Sequence, residues 1–217
     1  SYKLKMQMDM LRKTEYYTKF GGATGNMNAH YAAFPSVEWE MLLNDFIISM
    51  GFTRHMYTTQ IDNYEMYAVI FDNVRRIQTV LVDMCQDVWT YISMDYFKLR
   101  KLEGEIGSST MPHKVNPIDF ENAEGNFLMS NTILQFLSNK LPVSRLQRDL
   151  TDSTVLRNMG VAFGYGLVAI KSLVKGLGKL EINHSKIEQD LNENWTVVME
   201  GIQTILRREL YPNAYEV

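Results

Sequence analysis

The sequence contains few of the residues that mark several large classes of protein. It has one cysteine, Cys85, which excludes an internal disulfide framework and is typical of a reducing compartment such as the cytoplasm. Its four histidines are scattered and form no zinc-type spacing with that cysteine, so we expect no metal site. No cofactor is expected either. The formal net charge is −3, which does not favour a nucleic-acid partner. No uninterrupted apolar run has the length of a membrane span, so a membrane partner is not expected either.

Proline is also rare, and the long stretches between the five prolines have helical rather than strand periodicity. From Tyr64 to about Leu99, apolar residues recur at steps of three and four, as expected for one face of a long helix. The positions on this face are Met66, Ile70, Asn73, Ile77, Leu81, Met84, Val88 and Tyr91. No segment alternates apolar and polar residues with period two. The predicted fold class is therefore all-α, a bundle of long helices.

Two further apolar runs extend this bundle. One contains Phe127, Leu134, Leu137 and Leu141, and the other contains Leu156, Met159, Phe163, Leu167, Ile170, Val174 and Leu177. After Gly178 the pattern becomes more polar. We predict a central helical-bundle domain over residues 1–178 and the start of a smaller helical C-terminal domain over residues 179–217. Both ends look cut, so the chain is expected to be a fragment of a longer protein.

The most unusual segment runs from Gly104 to Pro117, with the sequence GEIGSSTMPHKVNP. Glycines allow its backbone unusual angles, three hydroxyls follow, and a lysine comes six residues after Ser108. The glycine spacing of a phosphate-binding loop is absent. From the residues alone, an ordinary polar loop that precedes a helix and a catalytic loop both remain open.

This segment resembles the signature of the fumarase/aspartase superfamily, Gly-Ser-Ser-x-Met-Pro-x-Lys-x-Asn-Pro. Seven fixed positions besides the glycine fall within ten residues. Other stretches are similar to the adenylosuccinate lyase family of the kind common in bacteria. They are GATGNMNAHYAAFP from Gly22, YTTQI from Tyr57, IDFENAEGN from Ile118 and LPVSRLQRDLTDSTVLRN from Leu141. The resemblance implies a lyase of purine nucleotide biosynthesis that releases fumarate by β-elimination, leaving AMP from adenylosuccinate, and that also splits the succinyl-carboxamide ribotide.

The resemblance also implies roles for the loop residues. Ser108 would be the general base that removes a proton next to a carboxylate. Lys114 and Asn116 would stabilise the negative charge that grows on that carboxylate, and Ser109 would hydrogen-bond the same region.

A second group of polar residues lies near the start of a helix. Ser153 and Arg157 are four residues apart, Arg148 precedes them, and arginine matches the geometry of phosphate. Local ion pairs with Asp149 and Asp152 are the alternative role for these arginines. The resemblance favours a nucleotide-phosphate site made by Arg148, Ser153 and Arg157. It also carries over Gln60 and Asn122 as polar substrate contacts, although a loop amide and a helix amide remain open for them.

One catalytic group of the family is missing from the chain. The family's general acid is a histidine in a Thr-x-His segment, and none of the four histidines has that context. Family members are homotetramers whose active sites are shared between subunits, so this chain alone is expected to be inactive. Two alternatives remain open, namely another fumarate-releasing lyase of the superfamily and a non-catalytic helical scaffold.

Overall fold

A computed structural model describes residues 2–100 and 116–215. The chain divides into two compact units. Unit 1 comprises Ser1–Gln86 and Ile118–Lys175, and unit 2 comprises Asp87–Pro117 and Gly176–Val217. The boundary predicted at residue 178 is not tested by this division and stays a prediction.

Helices make up most of the described chain, which confirms the all-α prediction. They are α1 Tyr2–Arg12, α2 Asn28–Ala33, α3 Trp39–Ser49, α4 Glu65–Ser93, α5 Ile118–Lys140, α6 Thr151–Val155, α7 Met159–Leu177, α8 His184–Glu193 and α9 Met199–Arg208. Short 3₁₀ segments span Leu156–Asn158 and Trp195–Val198. The strands that the structure describes have two or three residues each: β1 Tyr17–Thr18, β2 Thr53–Arg54, β3 Phe97–Leu99 and β4 Leu180–Ile182.

The core of unit 1 is built around α5. Its buried side chains recur at steps of three and four, and they include Phe120, Ala123, Phe127, Ser130, Leu134 and Leu137. Leu134, Leu137 and the following Leu141 pack with Phe71 of α4 and Ala162 of α7. Complete burial of a Leu or Phe side chain contributes roughly 1.5–3 kcal/mol, so this stripe is a main source of stability. The apolar run predicted between Phe127 and Leu141 is confirmed.

Helix α4 ends six residues earlier than its apolar pattern predicted. Asp95 adopts a left-handed backbone with φ 60°, and the Tyr96 N–H donates to the Tyr91 carbonyl at 2.9 Å. This six-to-one bond is the Schellman termination of a helix, and it directs the chain into β3. The predicted end at Leu99 was wrong because apolar periodicity does not detect a backbone turn of this kind.

Helix α7 packs through its small residues rather than through its large ones. Ala162, Gly166, Ala169 and Leu173 are buried. The large side chains of the predicted run from Phe163 to Leu177 are exposed, namely Phe163, Leu167, Ile170, Val174 and Leu177. A Cβ on Gly166 would lie 2.9 Å from the Gln78 Nε2 of α4, so the glycine leaves room for that side-chain amide. These large apolar side chains form a wide face that is exposed in the single chain.

The helical run Thr151–Leu177 is long and apolar enough to cross a membrane by length and composition, with 28% of its most apolar window buried. From the sequence, no segment of this kind is expected. Core helices of water-soluble proteins meet the same criteria, so one such helix is weak evidence for a membrane span.

Unit 2 is organised by an antiparallel pair of strands. β3 pairs with β4 in the register Phe97↔Ile182, Lys98↔Glu181 and Leu99↔Leu180. The buried Asn183 side chain donates to the Asp95 carbonyl at 2.8 Å and accepts from Ser185 Oγ at 2.9 Å. These bonds hold the end of α4 beside the start of α8. A cleft of about 490 Å³ opens next to α8, with Tyr96, Ile187, Asp190 and Leu191 in its lining.

Candidate functional site

The structure describes six of the nine residues predicted for the site. Ser108, Ser109 and Lys114 lie outside the described residues. Asn116 is half-buried in unit 2, two residues before α5 begins. The other five, Gln60, Asn122, Arg148, Ser153 and Arg157, all belong to unit 1.

Gln60 lies in a loop of unit 1 that packs against the glycine-rich segment from Gly21. Gly25 has a left-handed backbone with φ +85°. A Cβ at this position would lie 2.5 Å from the carbonyl oxygen of Thr58 and closer still to that of Thr59. Only glycine fits such an approach of two backbones. Two segments that are far apart in sequence are therefore held together, with the Gln60 side chain exposed at their junction.

Charged groups that are not among the predicted site residues lie beside this junction. Lys19 Nζ donates to the Gly22 carbonyl at 2.9 Å, and burial lowers the pKa of Lys19 while the charge of Asp62 opposes that shift. Asp62 lies 3.8 Å from the half-buried His55 Nε2 and also accepts from the Tyr64 backbone N–H at 2.8 Å. Asp62 therefore contacts one residue before Gln60 and one residue after it in the same loop.

A single hydrogen bond joins this loop to the segment predicted to bind phosphate. The Tyr64 hydroxyl donates to Asp152 Oδ2 at 3.1 Å across a long sequence separation. Burial, together with the negative charge of Asp152, raises the pKa of Tyr64 to about 12. Tyr64 also has a left-handed backbone with φ 64°, just before α4 begins. The sequence contains no signal for this pair, because 88 positions separate the two residues and no local pattern relates them.

Arg148 is directed towards this pair. Its Nη2 atom lies 3.9 Å from Asp152 Oδ1, and its side chain is about one-third exposed. The neighbouring arginine, Arg145, contacts Asp149 at 3.1 Å instead. The alternative role for this segment was local ion pairing with Asp149 and Asp152. Both carboxylates do pair with an arginine, Asp149 with Arg145 and Asp152 with Arg148.

Asp149 organises the start of α6. Its Oδ1 atom accepts the Thr151 backbone N–H at 3.0 Å, and the Thr151 hydroxyl donates to the same oxygen. The hydrogen bonds from Thr151, with a further one from Arg145, hold the pKa of Asp149 well below its usual range. Asp149 therefore remains ionised and orients the residues that follow it.

Ser153 and Arg157 lie on one helical run, but not within one regular α-helix. The helix changes from α6 to a 3₁₀ segment after Val155, so the two residues do not occupy successive turns of one regular α-helix. The Ser153 hydroxyl donates to the Leu150 carbonyl at 2.9 Å, which leaves its oxygen free to accept. Arg157 is exposed.

Asn122 takes part in a different set of contacts within unit 1. Its amide donates to Ser172 Oγ at 3.0 Å, and its carbonyl oxygen accepts from Asn126 at 3.0 Å. Ser172 donates in turn to the Asp119 carbonyl at 2.8 Å. Within the described residues no hydrogen bond links Asn122 to Gln60 or Arg148.

Metal chemistry has no candidate site in the part of the chain that the structure describes. No group of three His, Cys, Asp or Glu side chains there is arranged to hold an ion.

Two family models together match most of the chain. A model described as Lyase matches residues 2–129, and a model described as Adenylosuccinate lyase C-terminal matches residues 144–217.

Curated relatives match over nearly the whole chain. Adenylosuccinate lyase of Dictyostelium discoideum is 52% identical over 217 residues, covering 99% of this chain. The proteins of the same name from Escherichia coli (strain K12) and Legionella pneumophila (strain Corby) are each 51% identical, covering 100% and 99% of it. Each alignment covers 47% of the relative, so the chain spans about half the length of the curated relatives that it matches.

Proposed function

This chain belongs to the lyase family, and from that membership we propose that it is part of an enzyme that splits adenylosuccinate into AMP and fumarate. The same enzyme would release fumarate from the succinyl-carboxamide ribotide. The observation that carries this proposal is the similarity to adenylosuccinate lyases along nearly the whole chain.

The reaction places a clear demand on the loop from Gly104 to Pro117. A weakly acidic C–H next to a carboxylate must lose its proton, and the electron pair left behind spreads onto that carboxylate as a second negative charge. Ser108, acting as an alkoxide, takes the proton. Lys114 and Asn116 stabilise the developing charge with a cation and an amide donor, and Ser109 hydrogen-bonds the same carboxylate.

Collapse of that intermediate forms the C=C bond of fumarate and breaks the C–N bond. The departing nitrogen then takes a proton from a general acid. We propose that this acid is a histidine outside the present chain, because His30, His55, His113 and His184 all lack the family's Thr-x-His context. Under this proposal, residues 1–217 lack the group that protonates the departing nitrogen.

The substrate's phosphate would bind in unit 1. Arg148 and Arg157 would supply the cationic forks, and the Ser153 hydroxyl would turn from the Leu150 carbonyl to donate to a phosphate oxygen. Gln60, exposed beside the glycine-rich segment, and Asn122 on α5 would hydrogen-bond other polar groups of the substrate. Support for the Gln60 assignment is the Tyr64–Asp152 hydrogen bond, which ties the Gln60 loop to the Arg148 segment.

We further propose a homotetramer in the cytoplasm, with active sites shared between subunits. The large apolar side chains on the exposed face of α7 support an assembly of this kind, since a face of that width is usually buried against another chain.

The proposal is tested with the full-length protein and the variant Ser108→Ala. Fumarate release is followed by ultraviolet absorbance, and adenylosuccinate binding by calorimetry. Ser108→Ala should abolish turnover and keep binding, because the hydroxyl acts on a proton rather than on substrate affinity. The matched control is His113→Ala, at a variable position of the same loop, which should keep turnover.

Four results would contradict the proposal. Retained turnover in Ser108→Ala removes that residue from its role. Turnover of a different fumarate-yielding substrate in a panel, with none of adenylosuccinate, assigns another lyase of the superfamily. No turnover of any substrate by the wild-type protein favours a non-catalytic scaffold. Measurable fumarate release from residues 1–217 alone would contradict the proposal that the general acid lies outside this chain.

A further inference from the structure

Asp152 has an unusual environment for a carboxylate. The residue is only 5% exposed, and one of its oxygens, Oδ2, accepts the Tyr64 hydroxyl at 3.1 Å. The other oxygen, Oδ1, is buried and accepts no hydrogen bond from the described residues. A buried charged oxygen without a partner is costly, so such an oxygen in a native site calls for a physical explanation.

Helix capping does not explain it. The helix start at Thr151 is served by Asp149, which accepts both the backbone N–H and the hydroxyl of Thr151. The carboxylate of Asp152 is therefore not used for the helix end on which it lies.

The cation that faces this oxygen is Arg148. Its Nη2 atom lies 3.9 Å from Asp152 Oδ1, which satisfies an ion pair but is too long for a hydrogen bond. A shift of about 1 Å in the guanidinium would bring the two atoms to the 2.7–2.9 Å typical of a charge-assisted hydrogen bond. Arg148 Nη2 and Asp152 Oδ1 thus face each other at a distance slightly longer than a hydrogen bond.

We propose that Asp152 is a positioning residue, which holds one edge of the Arg148 guanidinium while the other edge binds the phosphate of the substrate. The inference rests on the proposed function, because it requires Arg148 to be a phosphate ligand. Tyr64 fixes the rotation of the carboxylate through Oδ2 and so directs Oδ1 at the arginine. Groups that orient a binding side chain in this way commonly alter affinity about tenfold or more when they are replaced.

The arrangement also links two parts of unit 1. Tyr64 follows the Gln60 loop, so the same hydrogen bond that orients Asp152 sets the distance between the Gln60 amide and the Arg148 fork. A nucleotide held at its phosphate by Arg148 would therefore be presented to Gln60 in one geometry.

The test uses the full-length protein and the steady-state kinetics of adenylosuccinate cleavage. In Asp152→Asn we expect the KM to rise about tenfold with kcat within about twofold, because the phosphate is bound equally in the ground and transition states. Tyr64→Phe should raise the KM about threefold, since a neutral hydroxyl contributes less than a charge. Asp72→Asn removes a partly exposed carboxylate paired with Arg75 at 2.8 Å, and this control should leave both constants unchanged.

A double-mutant cycle separates positioning from general stability. Arg148→Lys removes the fork, so adding Asp152→Asn to it should raise the KM by less than about twofold more. A merely structural role for Asp152 would give the same further loss in either background.

Each outcome decides between these roles. Full additivity in the cycle, an unchanged KM in Asp152→Asn, or a fall in kcat at constant KM would overturn the inference while leaving the proposed function in place. If Asp152→Asn does not fold, an unchanged KM in Tyr64→Phe overturns it equally. A wild-type protein without turnover would overturn the proposed function and the inference together.

Discussion

The contact between the glycine-rich segment and the Gln60 loop leads to a sharp prediction for Gly25→Ala. Two penalties act at this position. The backbone has φ +85°, a left-handed conformation that costs a residue with a Cβ about 1–2 kcal/mol. The new Cβ would also lie 2.5 Å from the Thr58 carbonyl oxygen, and that oxygen belongs to backbone that cannot rotate away.

Gly51 provides a matched control, because it carries the first penalty without the second. It ends α3 with φ +82°, and a Cβ there would have nothing within 4 Å. Gly51→Ala should therefore cost about 1–2 kcal/mol of unfolding free energy, offset by up to about 1 kcal/mol from the stiffer unfolded chain. Gly25→Ala adds an overpacking cost of about 1–3 kcal/mol, so it should be clearly the more destabilising of the two.

Both variants are compared by urea unfolding followed by circular dichroism, and by kcat/KM for adenylosuccinate in the full-length protein. Only Gly25→Ala should reduce kcat/KM, because it pushes the Gln60 loop away from the glycine-rich segment. Equal destabilisation by the two substitutions would show that backbone strain alone acts at Gly25. Unchanged kcat/KM in Gly25→Ala would refute the link between this contact and the site.

Two further predictions concern charge and assembly. The folded pKa of Asp149 is depressed below its ordinary 3.8, so its contribution to stability is complete above that pH and is lost as the pH falls through the folded value. Asp149→Asn should therefore lower the urea midpoint at pH 6, and the difference from wild type should narrow towards pH 2; a constant difference would contradict the assignment. Leu167→Glu on the exposed face of α7 should dissociate the proposed tetramer in light scattering, whereas Leu167→Met should preserve it. An intact tetramer in Leu167→Glu would exclude this face from the interface.

The sequence predicted a helix and its buried side correctly where a single apolar pattern indicated both. The run through Phe127, Leu134 and Leu137 predicted α5 and its buried side because a single apolar stripe faces a single core. In α7 the same reasoning selected the stripe that is exposed. That helix is apolar nearly all round, and only its neighbours determine that Ala162 and Gly166 point inwards. The end of α4 was predicted too late, because the left-handed Asp95 leaves no trace in apolar spacing.

For the candidate site, the sequence alone supplied the candidate residues. A dense motif such as the one from Gly107 to Pro117, and an arginine-serine-arginine group from Arg148 to Arg157, are local patterns that can be identified without coordinates. Only the tertiary structure showed which distant segments of unit 1 contact each other. The Tyr64–Asp152 bond and the packing of Gly25 on Thr58 join residues that are distant along the chain. Such contacts depend on how helices pack, and packing is a property of the assembled fold that no local spacing encodes.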